Sequence, residues 1–197
     1  RAATLWYQDH AIDATAHHVY MGLAGMYIIQ DDLELGLPLP KDKYDIPLII
    51  DDKVFANDGS LVFDDHQHTS VMGDIILVNG APQPRLEVAN RKYRFRVLNG
   101  SVSRSYKLAL STVDDLIVIG TDGGLLEAPV RTKDLRLGMA ERYELVIDFS
   151  KYPIGTQVVL QNLGLPNNID FDGTSEIMRF DVMRAEADDS FIPSMLR

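Results

Sequence analysis

Residues 5–10 read Leu5-Trp6-Tyr7-Gln8-Asp9-His10. On an extended strand, positions 8 and 10 lie on the same face. Imidazoles at both would stand side by side, as a pair of metal ions requires. Position 8 is Gln, so His10 is the one imidazole there. On composition alone, a lone His beside an Asp reads as a partly buried ring bonded to Asp9 or to a carbonyl. His66-Gln67-His68 follows Asp64-Asp65; on an extended segment the two rings share a face near a carboxylate, which is the donor set of a surface metal site. The stretch is polar and irregular, and the solvated loop is the preferred reading. His17 and His18 are neighbours and cannot share a face; in a helical turn one packs and the other meets solvent. Asp122-Gly123-Gly124 has the glycines of a phosphate cradle but lacks its Lys and following helix, so it reads as a tight turn. Ala140-Glu141-Arg142-Tyr143 reads as an ion pair or turn lock ahead of a strand, and the scattered methionines as core filler.

Composition narrows the chemistry. The 197 residues contain no Cys. That excludes thiolate zinc sites, disulfides, a Cys nucleophile and a blue-copper centre within this chain, since the last needs a Cys ligand. The formal net charge of -10 argues against nucleic acid as a partner. The one basic run, Arg91-Lys92-Tyr93-Arg94-Phe95-Arg96, alternates as a strand with Tyr93, Phe95 and Val97 inward. Arg94 and Arg96 are then expected on a solvated or inter-domain face. No apolar run approaches the roughly 18 residues of a membrane span. The start, Arg1-Ala2-Ala3-Thr4, lacks a charged-then-apolar signal segment and is read as an internal cut.

The elements that would position these residues are strands. Runs at Thr4–Tyr7, Met26–Gln30, Ile46–Asp51, Asp74–Val78, Tyr93–Leu98, Tyr106–Leu110, Leu116–Ile119, Leu135–Leu137, Tyr143–Phe149, Gln157–Gln161 and Ile177–Val182 are separated by turn residues such as Asn57-Asp58-Gly59 and Asn79-Gly80. In the Tyr143 run, Tyr143, Leu145, Ile147 and Phe149 share a face while Glu144 and Asp148 oppose them, which reads as a half-buried antiparallel strand. This pattern predicts an all-β sandwich or barrel with Greek-key links. Pro38 and Pro40 mark a boundary. Residues 1–31 are too few for a domain; they predict two strands around a turn or short helix at Asp13 to Tyr20, exposing Trp6, Tyr27 and Ile29 unless something covers them.

The segment Trp6-Tyr7-Gln8-Asp9-His10-Ala11, followed by Val19 to Ile29, resembles a copper motif of multicopper oxidases that reads W-Y-H-D/S-H, a short helix and a G-L-x-G-x-Y-I strand. Gly73 to Gly80 is similar to the strand that enters that family's second domain. Arg91 to Asn99, Ser103-Arg104-Ser105-Tyr106, Gly120 to Leu126 and Ala140 to Glu144 resemble its bilirubin oxidase and spore-coat laccase branch. Ile192-Pro193-Ser194-Met195-Leu196-Arg197 is similar to the linker toward that branch's third domain.

The resemblance implies a cupredoxin-like Greek-key β-sandwich at residues 43–186, preceded by the C-terminal hairpin of a first cupredoxin domain (1–31) and a linker (32–42), and followed by an exit linker (187–197). It implies part of a copper-dependent oxidase acting on phenols, pigments or metal ions with O2 as acceptor. His10 matches the second His of the motif, a type 3 copper ligand, and Gln8 occupies the place of the first. The remaining copper ligands lie in motifs that this chain does not contain. The chain is thus expected to scaffold rather than catalyse, with no catalytic residue of its own and with copper held only in the intact protein. Its partners are the first and third domains or another chain, as a homo-oligomer or fragment assembly. The resemblance also implies a secreted, periplasmic or spore-associated setting. The competing expectation is a copper-free structural or interaction module, which Gln8 and the lack of Cys also fit.

Overall fold

The computed structural model describes residues 1–66 and 70–197. Strands β1 (Ala3–Gln8) and β2 (Ala24–Ile29) flank helix α1 (Thr15–Tyr20) and pair antiparallel, Trp6 opposite Met26. Helix α2 (Asp32–Gly36) follows. The remaining strands are β3 (Asp45–Lys53), β4 (Ile75–Val78), β5 (Ala81–Pro82), β6 (Arg85–Ala89), β7 (Lys92–Asn99), β8 (Tyr106–Leu110), β9 (Leu116–Thr121), β10 (Gly124–Thr132), β11 (Asp134–Leu137), β12 (Arg142–Asp148), β13 (Gln157–Asn162) and β14 (Glu176–Arg184). They form a seven-stranded sheet ordered β10-β9-β12-β7-β3-β4-β5 and a five-stranded sheet ordered β11-β8-β13-β14-β6. Pairing is antiparallel except for β3 with β7 and β14 with β6. The all-β sandwich expected from the strand pattern is the fold the chain adopts.

Alternation builds the core. Leu145 and Ile147 on β12, Tyr93, Phe95 and Val97 on β7, and Val158, Leu160, Phe180 and Val182 on the smaller sheet are buried together. Phe180 lies 5.2 Å from Phe95 and 5.1 Å from Phe149, ring centre to ring centre, so aromatic faces bridge the two sheets.

The outer face of β7 and β12 corrects an expectation. Arg94, Arg96 and Glu144 are only 2%, 1% and 1% exposed, so of the solvated or inter-domain face expected for the two arginines the solvated reading falls, and the strand carrying Glu144 is not half-buried. The reason is local to the chain. β1 and α2 lie over it, and charged side chains at alternate positions meet opposite charges instead of water. The 32–42 stretch, read as a linker, contains α2 because Asp31 caps it, its carboxylate accepting from the Glu34 N–H at 2.9 Å. The Asp31-x-x-Glu34 spacing carried that signal.

The tail at 187–197, expected as an exit linker, is also docked. Leu196, 1% exposed, closes a second apolar cluster with Leu39, Ile117, Ile119, Leu125 and Val146 on the outer side of the large sheet. Its N–H donates to the Glu127 carbonyl at 2.8 Å, and the Phe191 N–H donates to Pro38 at 2.9 Å. Lys92 Nζ holds Asp188 at 2.8 Å. Hydrogen bonds from Tyr44 and Arg184, with Lys43 at 3.2 Å, hold the Glu186 carboxyl down at about 2. A carboxyl depressed on folding stabilises fully above its unfolded value of 4.5 and loses that contribution as pH falls toward 2. Glu186→Gln is expected to flatten the fall in melting temperature across that window, as read by thermal melts at stepped pH.

One loop carries visible strain. Val113, between β8 and β9, has φ 59° and is 70% exposed. A β-branched residue there pays for the left-handed conformation with its Cβ. Val113→Asn or Val113→Gly is expected to raise stability by about 1 kcal/mol in thermal melting.

Candidate functional site

β1 alternates so that Thr4, Trp6 and Gln8 share one face. Thr4 reaches the sandwich, and Trp6 and Gln8 border a cleft of about 350 Å³ shared with Val19, Ser101, Val102 and Met139. His10 lies just past the end of β1 and is exposed. No hydrogen bond to another described residue engages its ring. The partly buried ring bonded to Asp9 or to a carbonyl, expected on composition alone, is therefore not what the structure shows. Asp9 bonds His18 instead, Oδ2 to Nδ1 at 2.7 Å, pinning the turn that carries His10 onto α1. Asp9 Oδ1 is buried without a partner among the described residues.

His17, largely exposed, sets its ring edge-on to Phe63 at 5.2 Å. The helical pair thus divides between an aromatic contact and a carboxylate contact. His66 is exposed, its Nδ1 3.9 Å from Asp65. The proposed pairing of His66 with His68 lies outside the described residues. Among the described residues no group of three or more His, Asp or Glu is placed to hold a metal ion.

The remaining motifs resolve as structure. Asp122-Gly123-Gly124 is the turn joining β9 to β10; Gly124 has φ 91°, and Asp122 accepts from the Arg142 N–H at 2.7 Å. Glu141 accepts from the Gly138 N–H at 2.6 Å and locks the turn before β12. What the sequence did not single out is the ion cluster beneath the hairpin. Arg96 NH2 meets Glu34 at 2.6 Å and Asp45 at 2.7 Å, while its NH1 meets Thr4 Oγ1 at 3.0 Å and Glu144 at 3.2 Å. Arg94 NH2 pairs with Glu34 at 2.7 Å and also with Glu144. Burial opposes the charge on Arg96, but hydrogen bonds to Asp45 and Glu34 and the charges of Glu144 and Asp45 outweigh it and raise its pKa. The only sequence signal was charge on the strand faces opposite the core. Glu144 is the register partner of Arg96, which alternation alone does not reveal.

A copper site needs several nitrogen or sulfur donors converging on one point. At the end of β1 this chain places one imidazole, His10, with an amide, Gln8, two residues before it. The described residues do not by themselves fit the metal.

A family model described as multicopper oxidase matches residues 51–177. The chain is 42% identical to a laccase of Bacillus subtilis and 42% identical to a bilirubin oxidase of Albifimbria verrucaria; both alignments cover all of this chain, and 41% and 37% of those proteins. It is 43% identical, over 76% of its length, to 32% of a cell division protein FtsP of Xenorhabdus nematophila. The solved structure of the McoA multicopper oxidase from Aquifex aeolicus superposes with a TM-score of 0.89 at 38% identity, covering all of this chain and 45% of that one. The chain therefore spans about two fifths of the proteins it matches, over the cupredoxin sandwich and the hairpin that precedes it. Among the described residues no helix is long and apolar enough to cross a membrane. Sandwich topology, hairpin and sequence agree, and the chain belongs to the multicopper oxidase family.

Proposed function

We propose that this chain is the scaffold segment of a copper-dependent oxidase that oxidises phenols, pigments or metal ions with O2 as acceptor. In this reading residues 1–31 end a first cupredoxin domain, 32–42 link, 43–186 form the middle domain and 187–197 lead toward a third. His10 is its one contact with copper, in a type 3 position completed by residues outside the chain. The observation that carries the reading is an exposed, uncommitted His10 at the end of a strand in a chain of this family. Tyr7, Ile12, Leu23, Tyr27 and Leu33, each more than half exposed, form the apolar side of the hairpin and α2. They are the surface on which the other domains, in the same polypeptide or another chain, would pack. The family resemblance favours a secreted, periplasmic or spore-associated setting.

A second reading is a copper-free structural module. Gln8 favours it, as does the likeness to a protein named for cell division. Oxygen uptake with a phenolic substrate separates the two. A longer polypeptide carrying this chain is expected to consume O2 in a copper-dependent way, and the 197 residues alone are not. No uptake and no copper in that polypeptide would leave the structural module standing.

A further inference from the structure

The cluster beneath the hairpin joins three parts of the chain that are far apart in sequence. Thr4 comes from β1, Glu34 from α2, and Asp45, Arg94, Arg96 and Glu144 from the sandwich. Glu34, Arg94, Arg96 and Glu144 side chains are 1–3% exposed. Thr4 is fully buried; its hydroxyl donates to Glu144 Oε1 at 2.8 Å and accepts from Arg96 NH1 at 3.0 Å. Neighbouring bonds fix the same strand: Arg142 Nε donates to the Thr4 carbonyl at 3.1 Å, and the Ala2 N–H donates to the Asp31 carboxylate at 3.0 Å. The approach is close enough that a β-carbon at Gly124 would lie 2.2 Å from the Ala2 carbonyl oxygen.

A purely apolar seam would allow β1 to slide, because hydrophobic contact is non-directional. Hydrogen-bonded charges do not, since a displaced strand would leave buried charges unpaired. β1 (Ala3–Gln8) carries Thr4 near its start and delivers His10 two residues beyond its end. We propose that Thr4, Glu34, Asp45, Arg94, Arg96 and Glu144 are positioning residues that set the register of β1 on the sandwich, and through it the place of His10. The proposal rests on the reading of His10 as a copper contact for its purpose, but not for its geometry.

Amide hydrogen exchange on the metal-free chain tests it. Thr4→Val removes the hydroxyl while every arginine–carboxylate pair stays in place, so the sandwich keeps its fold. Exchange of amides from β1 through His10 is expected to quicken at least about tenfold, with β8, β13 and β14 unchanged within about twofold. Thr4→Ser, which keeps the hydroxyl, is expected to restore protection. Glu34→Gln is expected to act as Thr4→Val does, from the α2 side. Unchanged exchange in β1, uniform quickening across both sheets, or failure of Thr4→Ser to rescue would each overturn the proposal. A His10→Ala variant that leaves copper binding intact in the longer polypeptide would overturn the copper reading and leave the exchange result untouched.

Discussion

Arg96→Ala is expected to lower the stability of the chain by about 3–5 kcal/mol. The guanidinium is enclosed and touches three carboxylates and a hydroxyl at once. Forming such a cluster gains little net energy, because removing its charges from water offsets most of the attraction. Deleting one member is different. Glu34, Asp45 and Glu144 would then face each other with only Arg94 between them, two of them almost wholly buried. The cost is that of stranded charge, not of a lost contact. Urea denaturation of both proteins measures it. A loss below about 1 kcal/mol, the range of an exposed ion pair, would show that water reaches the cluster. Arg96→Lys is not expected to rescue, since an ammonium cannot address Asp45, Glu34 and Glu144 from one planar fork.

Arg104→Ala is expected to cost a similar amount, about 3–5 kcal/mol, by a different route. Arg104 is fully buried and fastens loops to the end of β3. Its Nε meets Asp52 at 2.8 Å, its NH2 donates to the carbonyls of Gly73 at 2.8 Å and Ile169 at 2.9 Å, and its NH1 meets Asp170 at 3.2 Å. Asp52 is itself 2% exposed and also accepts from the Gly73 N–H at 2.7 Å. Without Arg104, a buried carboxylate loses its charged partner and two carbonyls lose a donor together. The segments around Gly73 and Ile169 should then open before the sheets do, so limited proteolysis is expected to cut near them first. Cleavage spread evenly along the chain would contradict this.

Sequence patterning made the sandwich legible because buried strands repeat every second residue. Leu145, Ile147, Phe95 and Val97 announced their face directly. The short strand Ala81–Pro82 and the bulged β10, with Pro129 and exposed positions along it, did not stand out, since neither alternates cleanly. Legibility failed most on the second face. Arg94, Arg96 and Glu144 have the composition of a solvent-facing row, and only the folded hairpin shows that their partners are Thr4, Glu34 and Asp45. Long-range charge pairing leaves no periodic trace. The candidate site was legible as a motif, through Trp6, Tyr7 and His10. Its surroundings were not: the Asp9–His18 bond depends on where α1 docks, which spacing does not fix.

In the proposed reading this chain contributes one copper contact, His10, to a site completed elsewhere. The most direct test is the copper-to-protein ratio of a longer polypeptide carrying this chain, purified with and without His10→Ala, alongside the 197-residue chain. Copper is expected in the longer polypeptide, at a lower ratio after His10→Ala, with no stoichiometric copper on the 197 residues alone. An unchanged ratio after His10→Ala, or a stoichiometric copper on the chain by itself, would contradict it.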